Sequence, residues 1–444
     1  MWRSFAMADR IRRSAQFVFP TMIKDSSPSS RNFQSSQGSW GDPDRLDSWK
    51  EIAAYLRREV RTVQLWEKKE GLPVHRHFHK RLGSVFALRS EVESWKQRVS
   101  RFSPPKSRTL PACHGKPSSR EAYLKGRYFW NQRSEPSLRK AIQLFELAIR
   151  EDPGCALPYS GLADSLTLLS FYEIAPSSDA MPAARRAAQR AVELDPNLAE
   201  GHASLADVFL HFDRDWQAAD HEFRRSIQCN PDYALGYHWY ANLLAAHGHH
   251  EAAHRAVMHA LEINPVSIIT LVWAGVTSYL ARQFDEAITH YQSALELEPG
   301  FSWAHMYMAQ ALEQKGNFKE ALREFETTVQ LAGGNVCVKA MQAHTHAVAG
   351  DTFSARAILD EFKSAPSHQW TPSYDLAATC AALGELQQGI AWLKRACNER
   401  SMRLFTLTQD PRFDPLRRRP EFQEIVKRVG LNQYSPARVH FAQW

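Results

Sequence analysis

The feature that most constrains this chain is a proline that returns at nearly constant spacing. Five dipeptides ending in proline are separated by 43, 35, 34 and 34 residues. Their prolines are Pro153, Pro196, Pro231, Pro265 and Pro299. The residues 12 and 5 positions before each proline are small, and the residue 8 positions before it is usually larger. This pattern is typical of a helix that packs closely on its neighbours. The sequence therefore predicts consecutive helical hairpins that stack to bury their apolar faces.

One further step of 34 residues reaches Gly333, so the pattern continues after the proline is lost. The residues at the three offsets in the six units are Ala141, Phe145, Ala148, Ala184, Ala188, Ala191, Ala219, Phe223, Ser226, Ala253, Val257, Ala260, Ala287, Tyr291, Ala294, Ala321, Phe325 and Thr328. The pattern resembles the tetratricopeptide repeat (TPR), a 34-residue pair of antiparallel helices. Two degenerate units follow, which predicts about eight repeats over residues 120–403. The spacing of 43 places about nine extra residues in the second unit, in the stretch FYEIAPSSDAMP.

The TPR resemblance implies a right-handed superhelix whose inner surface is built from the first helix of each repeat. Such surfaces bind extended peptides or helices, so a protein or peptide partner is expected in this groove. The candidate groove residues are Ser204, Asp207, His238, Asn242, Met306 and Gln310. We expect residues 404–444 to form a capping helix and tail that cover the apolar face of the last repeat.

The net charge of +7 hides two regions of opposite sign. The first 120 residues hold 24 Lys and Arg against 11 Asp and Glu, whereas the remainder holds 31 against 37. Residues 1–42 are rich in serine and lack a stable period, which predicts disorder. Residues 99–119 carry four prolines and no acidic residue, which predicts a flexible basic linker.

Residues 43–98 form a compact unit between these two segments. Ser48 and Glu51 have the spacing of a capping box and predict a helix from Trp49 to Leu56. A short break leads to a second predicted helix, about Val60 to Lys69, and Gly71 and Pro73 end it. Residues 74–88 predict a basic hairpin, and a last helix is expected after Ser90.

The text WKEIAAYLRREVRTVQLWEKKEGLPV resembles the winged helix-turn-helix of the MerR and phage excisionase superfamily. This resemblance implies that the second helix enters the DNA major groove and that the hairpin lies along the phosphate backbone. The residues implied to approach bases are Arg61, Thr62, Gln64 and Leu65, and those implied to contact phosphate are Lys68, Arg76, His77, Lys80 and Arg81.

The predicted fold is therefore mainly α, with a small N-terminal winged helix-turn-helix followed by a right-handed TPR α-solenoid. The predicted function is a DNA-binding transcriptional regulator that contacts double-stranded DNA through residues 43–98. An alternative is a non-enzymatic TPR scaffold or adaptor whose helix-turn-helix head binds protein. A weaker alternative is a zinc hydrolase, because His250, Glu251 and His254 have the spacing H-E-x-x-H.

No phosphate-binding glycine loop or nucleophile elbow occurs in the sequence, so we expect neither an enzyme nor a cofactor. No apolar run is long enough to span a bilayer, and no membrane association is expected. The six cysteines are widely spaced without a C-x-x-C pair, which favours free thiols in a cytoplasmic protein.

Overall fold

A computed structural model describes residues 44–56, 60–77, 84–98, 116–332, 336–364 and 371–432. The chain divides into two compact units, residues 1–104 and 105–444. The segment 1–42, predicted to be disordered, lies outside the described residues, as does most of the predicted linker. The last residues of that linker are helical, because Pro117 occupies the first turn of a helix, where a missing N–H costs nothing.

The first unit combines three helices with a small antiparallel sheet. Its elements are β1 (Arg45–Leu46), α1 (Trp49–Leu56), α2 (Val60–Glu70), β2 (His75–His77), β3 (Ser84–Leu88) and α3 (Arg89–Arg98). The strand order is β1-β3-β2. The N–H of Glu51 donates to the Ser48 hydroxyl at 3.2 Å, and the Glu51 carboxylate accepts from the N–H of Asp47, so both side chains cap α1. Ile52, Val63 and Val92 are fully buried in the core of this unit.

The second unit is a series of helices in which most consecutive members pack against each other. Its first eight helices are α4 (Pro117–Asn131), α5 (Glu135–Glu151), α6 (Ala156–Phe171), α7 (Ser177–Leu194), α8 (Ala199–Val208), α9 (Trp216–Cys229), α10 (Ala234–Ala246) and α11 (His250–Ile263). The next eight are α12 (Ile268–Leu280), α13 (Phe284–Leu297), α14 (Ser302–Gln314), α15 (Phe318–Ala332), α16 (Val336–Val348), α17 (Thr352–Ser364), α18 (Ser373–Ala382) and α19 (Leu386–Asn398). A last helix, α20 (Pro420–Val429), packs on α19.

The recurring proline ends the second helix of each early pair. Asp152, Asp195 and Asn230 each precede a proline and have φ angles of −143°, −141° and −146°. A residue before proline is sterically disfavoured in the helical region, so the helix stops there and the chain turns. The regular spacing of the prolines therefore gives the later second helices, α9, α11 and α13, the same length of 14 residues.

The residues at the three repeating offsets form the contacts between helices. All eighteen are buried, and seventeen of them have no exposed surface. Phe145 shows why the pattern alternates in size, since its ring fills the space beside Gly126 and Gly161, where a Cβ atom would lie within 2.6 Å of the ring. The large residue of one helix therefore requires small residues on the helices that it contacts.

The nine extra residues of the second unit are spread over three places. Compared with the pair α12 and α13, α6 is three residues longer and α7 is four residues longer. The turn between α6 and α7, residues 172–176, is two residues longer than the turn between α12 and α13. The second pair therefore projects beyond its neighbours at this turn.

Residues 401–417, which we call the C-terminal strap, leave the expected path. They contain two short 3₁₀ turns, Met402–Thr406 and Pro411–Phe413. Leu404, Leu407, Phe413 and Leu416 of the strap are fully buried within the main core of the second unit. Whereas α20 does pack on the last repeat, the strap contacts helices far earlier in the chain, which differs from the expectation of a simple cap.

Candidate functional site

The six residues predicted to line the groove lie on α8, α10 and α14, the first helices of their pairs. Each of them is at most 8% exposed. In this structure none of the six is available to a partner, whereas the sequence predicted an open inner surface.

Internal contacts account for several of these groove residues. The Ser204 hydroxyl donates to the Asp164 carboxylate at 2.6 Å, and Asp207 lies 3.3 Å from His211. The amide of Gln310 lies 3.4 Å from the Met341 sulfur. Met306 packs in an apolar cluster with Phe325 and Met341. These side chains stabilise the stack of helices.

The C-terminal strap covers the inner surface where the groove was expected. The Phe405 ring lies 6.4 Å from that of Phe171 on α6 and 4.7 Å from that of His211, which follows α8. Thr408 donates to the carbonyl of Ala246 at the end of α10, and Asp414 pairs with Arg282 after α12 at 2.6 Å. One segment therefore bridges four of the helix pairs.

A buried ion-pair cluster holds the strap in place. The Arg412 guanidinium contacts the carboxylates of Asp375 at 2.9 Å and Asp410 at 2.7 Å, and all three residues are almost fully buried. The Tyr374 hydroxyl donates to Asp410 at 3.0 Å. Burial raises the pKa of Asp410, but the charge of Arg412 and its hydrogen bonds to the carboxylate together outweigh burial and lower the pKa. The Asp410 carboxylate therefore stays ionised inside the protein.

A small polar cavity of about 30 Å³ remains beside the predicted groove residues Asp207, His238 and Asn242. Within the described residues, Nε and Nη2 of Arg133, Nε2 of His238 and Oδ1 of Asn242 have no hydrogen-bond partner. Burial lowers the pKa of His238 to about 3, so its ring is neutral near pH 7. The cavity has room for about two water molecules and is too small for a peptide side chain.

The array also closes on itself near this cavity. The Trp303 ring stacks on Tyr172 with 3.9 Å between centroids, and its indole N–H donates to the carbonyl of Arg133 at 3.4 Å. These contacts join the start of α14 to the turns that follow α4 and α6. The inner surface is therefore enclosed by this contact as well as by the strap.

The residues implied in DNA contact lie on α2 and β2 where the structure describes them. Arg61 and Lys68 are exposed, whereas Thr62 and Gln64 are half-buried. Arg76 on β2 pairs with Glu67 of α2 at 2.5 Å, and this contact raises the pKa of Arg76. For Leu65 and His77 the structure describes the backbone but not the side chain. Lys80 and Arg81 lie outside the described residues.

The H-E-x-x-H residues lie at the start of α11. His254 is 3.9 Å from Glu286, and burial lowers the pKa of His250. Within the described residues no third ligand-type side chain joins these histidines at metal-binding distance. The triplet that does come together is Glu173, Cys337 and Asp375, with ligand atoms within 4.8 Å of one another.

That triplet has the charge pattern of an ion-paired cluster. Arg412 contacts Asp375, and Arg403 lies 3.7 Å from the same carboxylate. Burial raises the pKa of the Cys337 thiol well above its usual range, and the thiol donates a hydrogen bond to Glu173.

Cys229, Cys337, Cys380 and Cys397 are not disulfide-bonded. Cys155 is disulfide-bonded, so the expectation of free thiols throughout is wrong for this residue. Across the described ranges, none of the helices combines the length and apolar character needed to cross a membrane.

Sequence reasoning missed the strap and its cluster. Residues 404–444 were expected to form only a capping helix and tail, so the burial of Asp410 and Phe413 was not predicted. The signal that was present is an arginine, Arg412, between two Asp-Pro dipeptides in a segment without helical period. Such a pattern indicates a turn-rich segment. The ion-pair partner of Arg412 is Asp375, the only carboxylate on α18, whose other residues are mostly small or apolar.

Comparisons with known proteins agree on the nature of the repeated helices. Two tetratricopeptide repeat family profiles match, one over residues 279–345 and the other over residues 222–255. Superkiller protein 3 of Schizosaccharomyces pombe is 24% identical over 282 residues, which is 63% of this chain. The tetratricopeptide repeat and J domain-containing co-chaperone DNJ1 of Cryptococcus neoformans is 32% identical over 91 residues, or 20% of this chain. The chain spans only 17% of the length of each of these relatives.

Two solved structures are also similar to parts of this chain. The APC/C hetero-tetramer Cut9-Hcn1 matches 76% of this chain and 59% of its own, with 12% identity and a TM-score of 0.49. TTC0263, a TPR protein of Thermus thermophilus, matches 44% of this chain and 98% of its own, with 19% identity and a TM-score of 0.37. Both family profiles fall within the array of helix pairs that the proline spacing predicted. Tetratricopeptide repeats therefore occupy residues 222–255 and 279–345 of this chain.

Proposed function

We propose that this chain is a non-catalytic TPR scaffold that binds a protein partner on the exposed face of its first helix pair. We extend the repeat assignment to all eight helix pairs, from Pro117 to Asn398. The observation that carries the proposal is the C-terminal strap, which occupies the inner surface that a peptide would otherwise use. A partner of the folded chain therefore has to dock elsewhere.

The first helix pair offers such a surface. Leu124 and Tyr128 on α4 are 48% and 64% exposed, and Leu147 on α5 is also exposed. Leu124 and Tyr128 are four residues apart, so they lie on the same helix face. Because the first pair of an array has no preceding repeat to stack on, this apolar face is suited to an apolar or aromatic partner surface.

A photo-crosslinking experiment on the full chain tests this proposal. A benzophenone-bearing phenylalanine analogue is placed at Tyr128 or, as the matched control, at Phe353, an aromatic residue on α17 that is 84% exposed. We expect a discrete protein adduct from position 128 that Leu124→Ser abolishes, and no equivalent adduct from position 353. Adducts of equal yield at both positions, or none at position 128, would contradict this docking surface.

DNA binding by residues 43–98 is the second candidate function, and it would make the scaffold a transcriptional regulator. It is supported by the exposed cationic side chains of Arg61 and Lys68 on α2, next to an antiparallel hairpin. Residues 51–100 contain 11 Lys and Arg against 6 Asp and Glu, which suits a polyanion.

Its test is the binding of the full chain to genomic DNA fragments over a range of salt concentrations. We expect the binding constant to fall with salt, Arg61→Ala and Gln64→Ala to reduce discrimination between sites, and Lys68→Ala to weaken all sites alike. Binding that neither depends on salt nor distinguishes sequences would leave the head as a protein-binding module.

A further inference from the structure

Three side chains with metal-binding atoms meet inside the second unit, although they come from distant parts of the chain. They are Glu173 in the turn between α6 and α7, Cys337 in the first turn of α16 and Asp375 in the first turn of α18. A carboxylate oxygen of each acid and the thiol sulfur all lie within 4.8 Å of one another. Sulfur and oxygen ligands of one tetrahedral zinc ion are about 3.3 to 3.5 Å apart, so small side-chain rotations would bring these atoms around an ion.

The Asp375 carboxylate has one oxygen without a partner. Asp375 is fully buried, and its Oδ1 accepts a hydrogen bond from Arg412 at 2.9 Å, whereas its Oδ2 has no hydrogen-bond partner within the described ranges. Buried polar atoms normally have a partner, because leaving one unpaired is costly. A cation bound by the triplet supplies that partner, and Arg412 then orients the ligating carboxylate from its other oxygen, as is usual around metal sites.

The charges of this buried cluster match a divalent ion. Once the thiol has lost its proton, the cluster has four negative groups, a thiolate and three carboxylates, against two arginines. The charge of a divalent cation makes up the difference, so its binding leaves no uncompensated charge in the interior. The negative groups are Cys337, Glu173, Asp375 and Asp410, and the arginines are Arg403 and Arg412.

The positions of two ligands in their helices also favour the ionised forms. Cys337 and Asp375 lie in first turns, where the partial positive charge of the helix N-terminus stabilises an anion. Without metal, the Cys337 thiol keeps its proton and donates it to Glu173 in a hydrogen bond. Coordination to a metal ion deprotonates a thiol outright, so the ion replaces this proton, which passes to solvent.

Glu173 connects the cluster to solvent. It is half-buried and lines a cavity of about 380 Å³ between the second helix pair and the chain on either side of α18 and α19. Its backbone has a left-handed φ of 58°, which other turns of the array reserve for glycine, as at Gly248 and Gly316. Among the described residues, Glu173 is the only acidic one with a positive φ. Such a strained position indicates that its side chain has a function.

We propose that Glu173, Cys337 and Asp375 bind one zinc ion, which joins the second helix pair to the seventh and eighth pairs. Water from the cavity takes the fourth position of the tetrahedron. Zinc fits this donor set better than magnesium or calcium, because a thiolate ligand selects the softer ion. The ion closes the array, and the site does not depend on the protein partner proposed above.

Titration of the chelator-treated full chain with Zn²⁺ and Co²⁺ tests this proposal. We expect one ion per chain and, with Co²⁺, a near-ultraviolet charge-transfer band from a thiolate ligand. Zn²⁺ should raise the melting temperature, since it binds the folded chain, and should increase hydrogen-exchange protection in residues 172–176, α16 and α18. Mg²⁺ should have neither effect, because it prefers oxygen ligands.

Cys337→Ser separates loss of metal from loss of folding. Serine keeps a hydroxyl that donates to Glu173, so the melting temperature without metal should stay close to that of the native chain. The charge-transfer band should disappear, and the affinity for zinc should fall at least about tenfold in this variant and in Glu173→Gln. Cys380→Ser is the matched control, because Cys380 is a fully buried thiol of α18 outside the triplet, and its loss should leave the band in place.

The proposal is wrong if the full chain binds no stoichiometric zinc, or if its cobalt complex lacks the charge-transfer band. A band that persists in Cys337→Ser would equally contradict it. Zinc binding that survives Cys337→Ser but is lost in His254→Ala would assign the ion to the H-E-x-x-H segment of α11.

Discussion

Arg412 is the single residue on which the strap depends most. It neutralises Asp375 and Asp410 in a buried environment, where removing one partner leaves charge that water cannot solvate. We expect Arg412→Ala to lower the free energy of unfolding by about 3 to 5 kcal/mol in urea denaturation. The matched control is Arg282→Ala, which breaks the exposed pair with Asp414 on the same strap and should cost at most about 1 kcal/mol. Equal effects of the two variants would mean that the buried cluster does not hold the strap.

Glu173 gives the protein a pH dependence of unusual sign. Burial raises the pKa of this carboxyl to about 7 from a usual value of 4.5. Between these two pH values the folded chain binds a proton that the unfolded chain has released, so the stabilisation that this proton gives declines as pH rises through 7.

We therefore expect the urea midpoint of the native chain to fall between pH 5.5 and 8. Glu173→Gln should make this fall smaller, because the side chain no longer titrates. Glutamine keeps an acceptor for the Cys337 thiol, which donates to Glu173 in the native chain. Glu121→Gln is the control, because Glu121 is exposed and pairs with Lys125. A native chain whose urea midpoint does not change over this pH range would contradict the assignment of a raised pKa.

At the scale of elements, the C-terminal strap acts through helices that are distant in sequence. Phe405 packs against Phe171 and His211, so its removal should affect α6 and α8 as well as the strap. We expect Phe405→Ala to destabilise the chain by about 3 to 5 kcal/mol and to reduce hydrogen-exchange protection in all three segments. Phe353→Ala, at an exposed position, should leave protection unchanged. Loss of protection confined to residues 401–417 would show that the strap is only an attached tail.

The elements themselves were largely predictable, because short-range rules determine them. The capping residues Ser48 and Glu51 placed α1 with its observed bounds, and the prolines placed the ends of the second helices of the repeats. The predicted groove residues lie on first helices of their pairs, but helical period does not tell whether an inner surface meets solvent or another part of the chain. The strap has no period of its own, and its contacts with Phe171 and Ala246 span more than 150 residues.

For the whole second unit, closure changes how the array should unfold. In an open solenoid each repeat contacts only its neighbours, so its ends can unfold independently. Here Trp303 stacks on Tyr172, and the strap joins residues near 214, 246 and 282 to the C-terminal helices. These long-range contacts couple repeats that are not adjacent.

We therefore expect the second unit to unfold in urea in one cooperative transition, with coincident curves from circular dichroism and tryptophan fluorescence. Trp303→Leu removes the closing stack and the hydrogen bond to Arg133, so it should separate these curves and lower the apparent m-value. Trp392→Leu is the control, since Trp392 lies within the last pair and its cation–π contact is with Arg395, three residues away. That variant should shift the midpoint without separating the two curves. Curves that already diverge in the native chain would mean that the repeats unfold independently despite the strap.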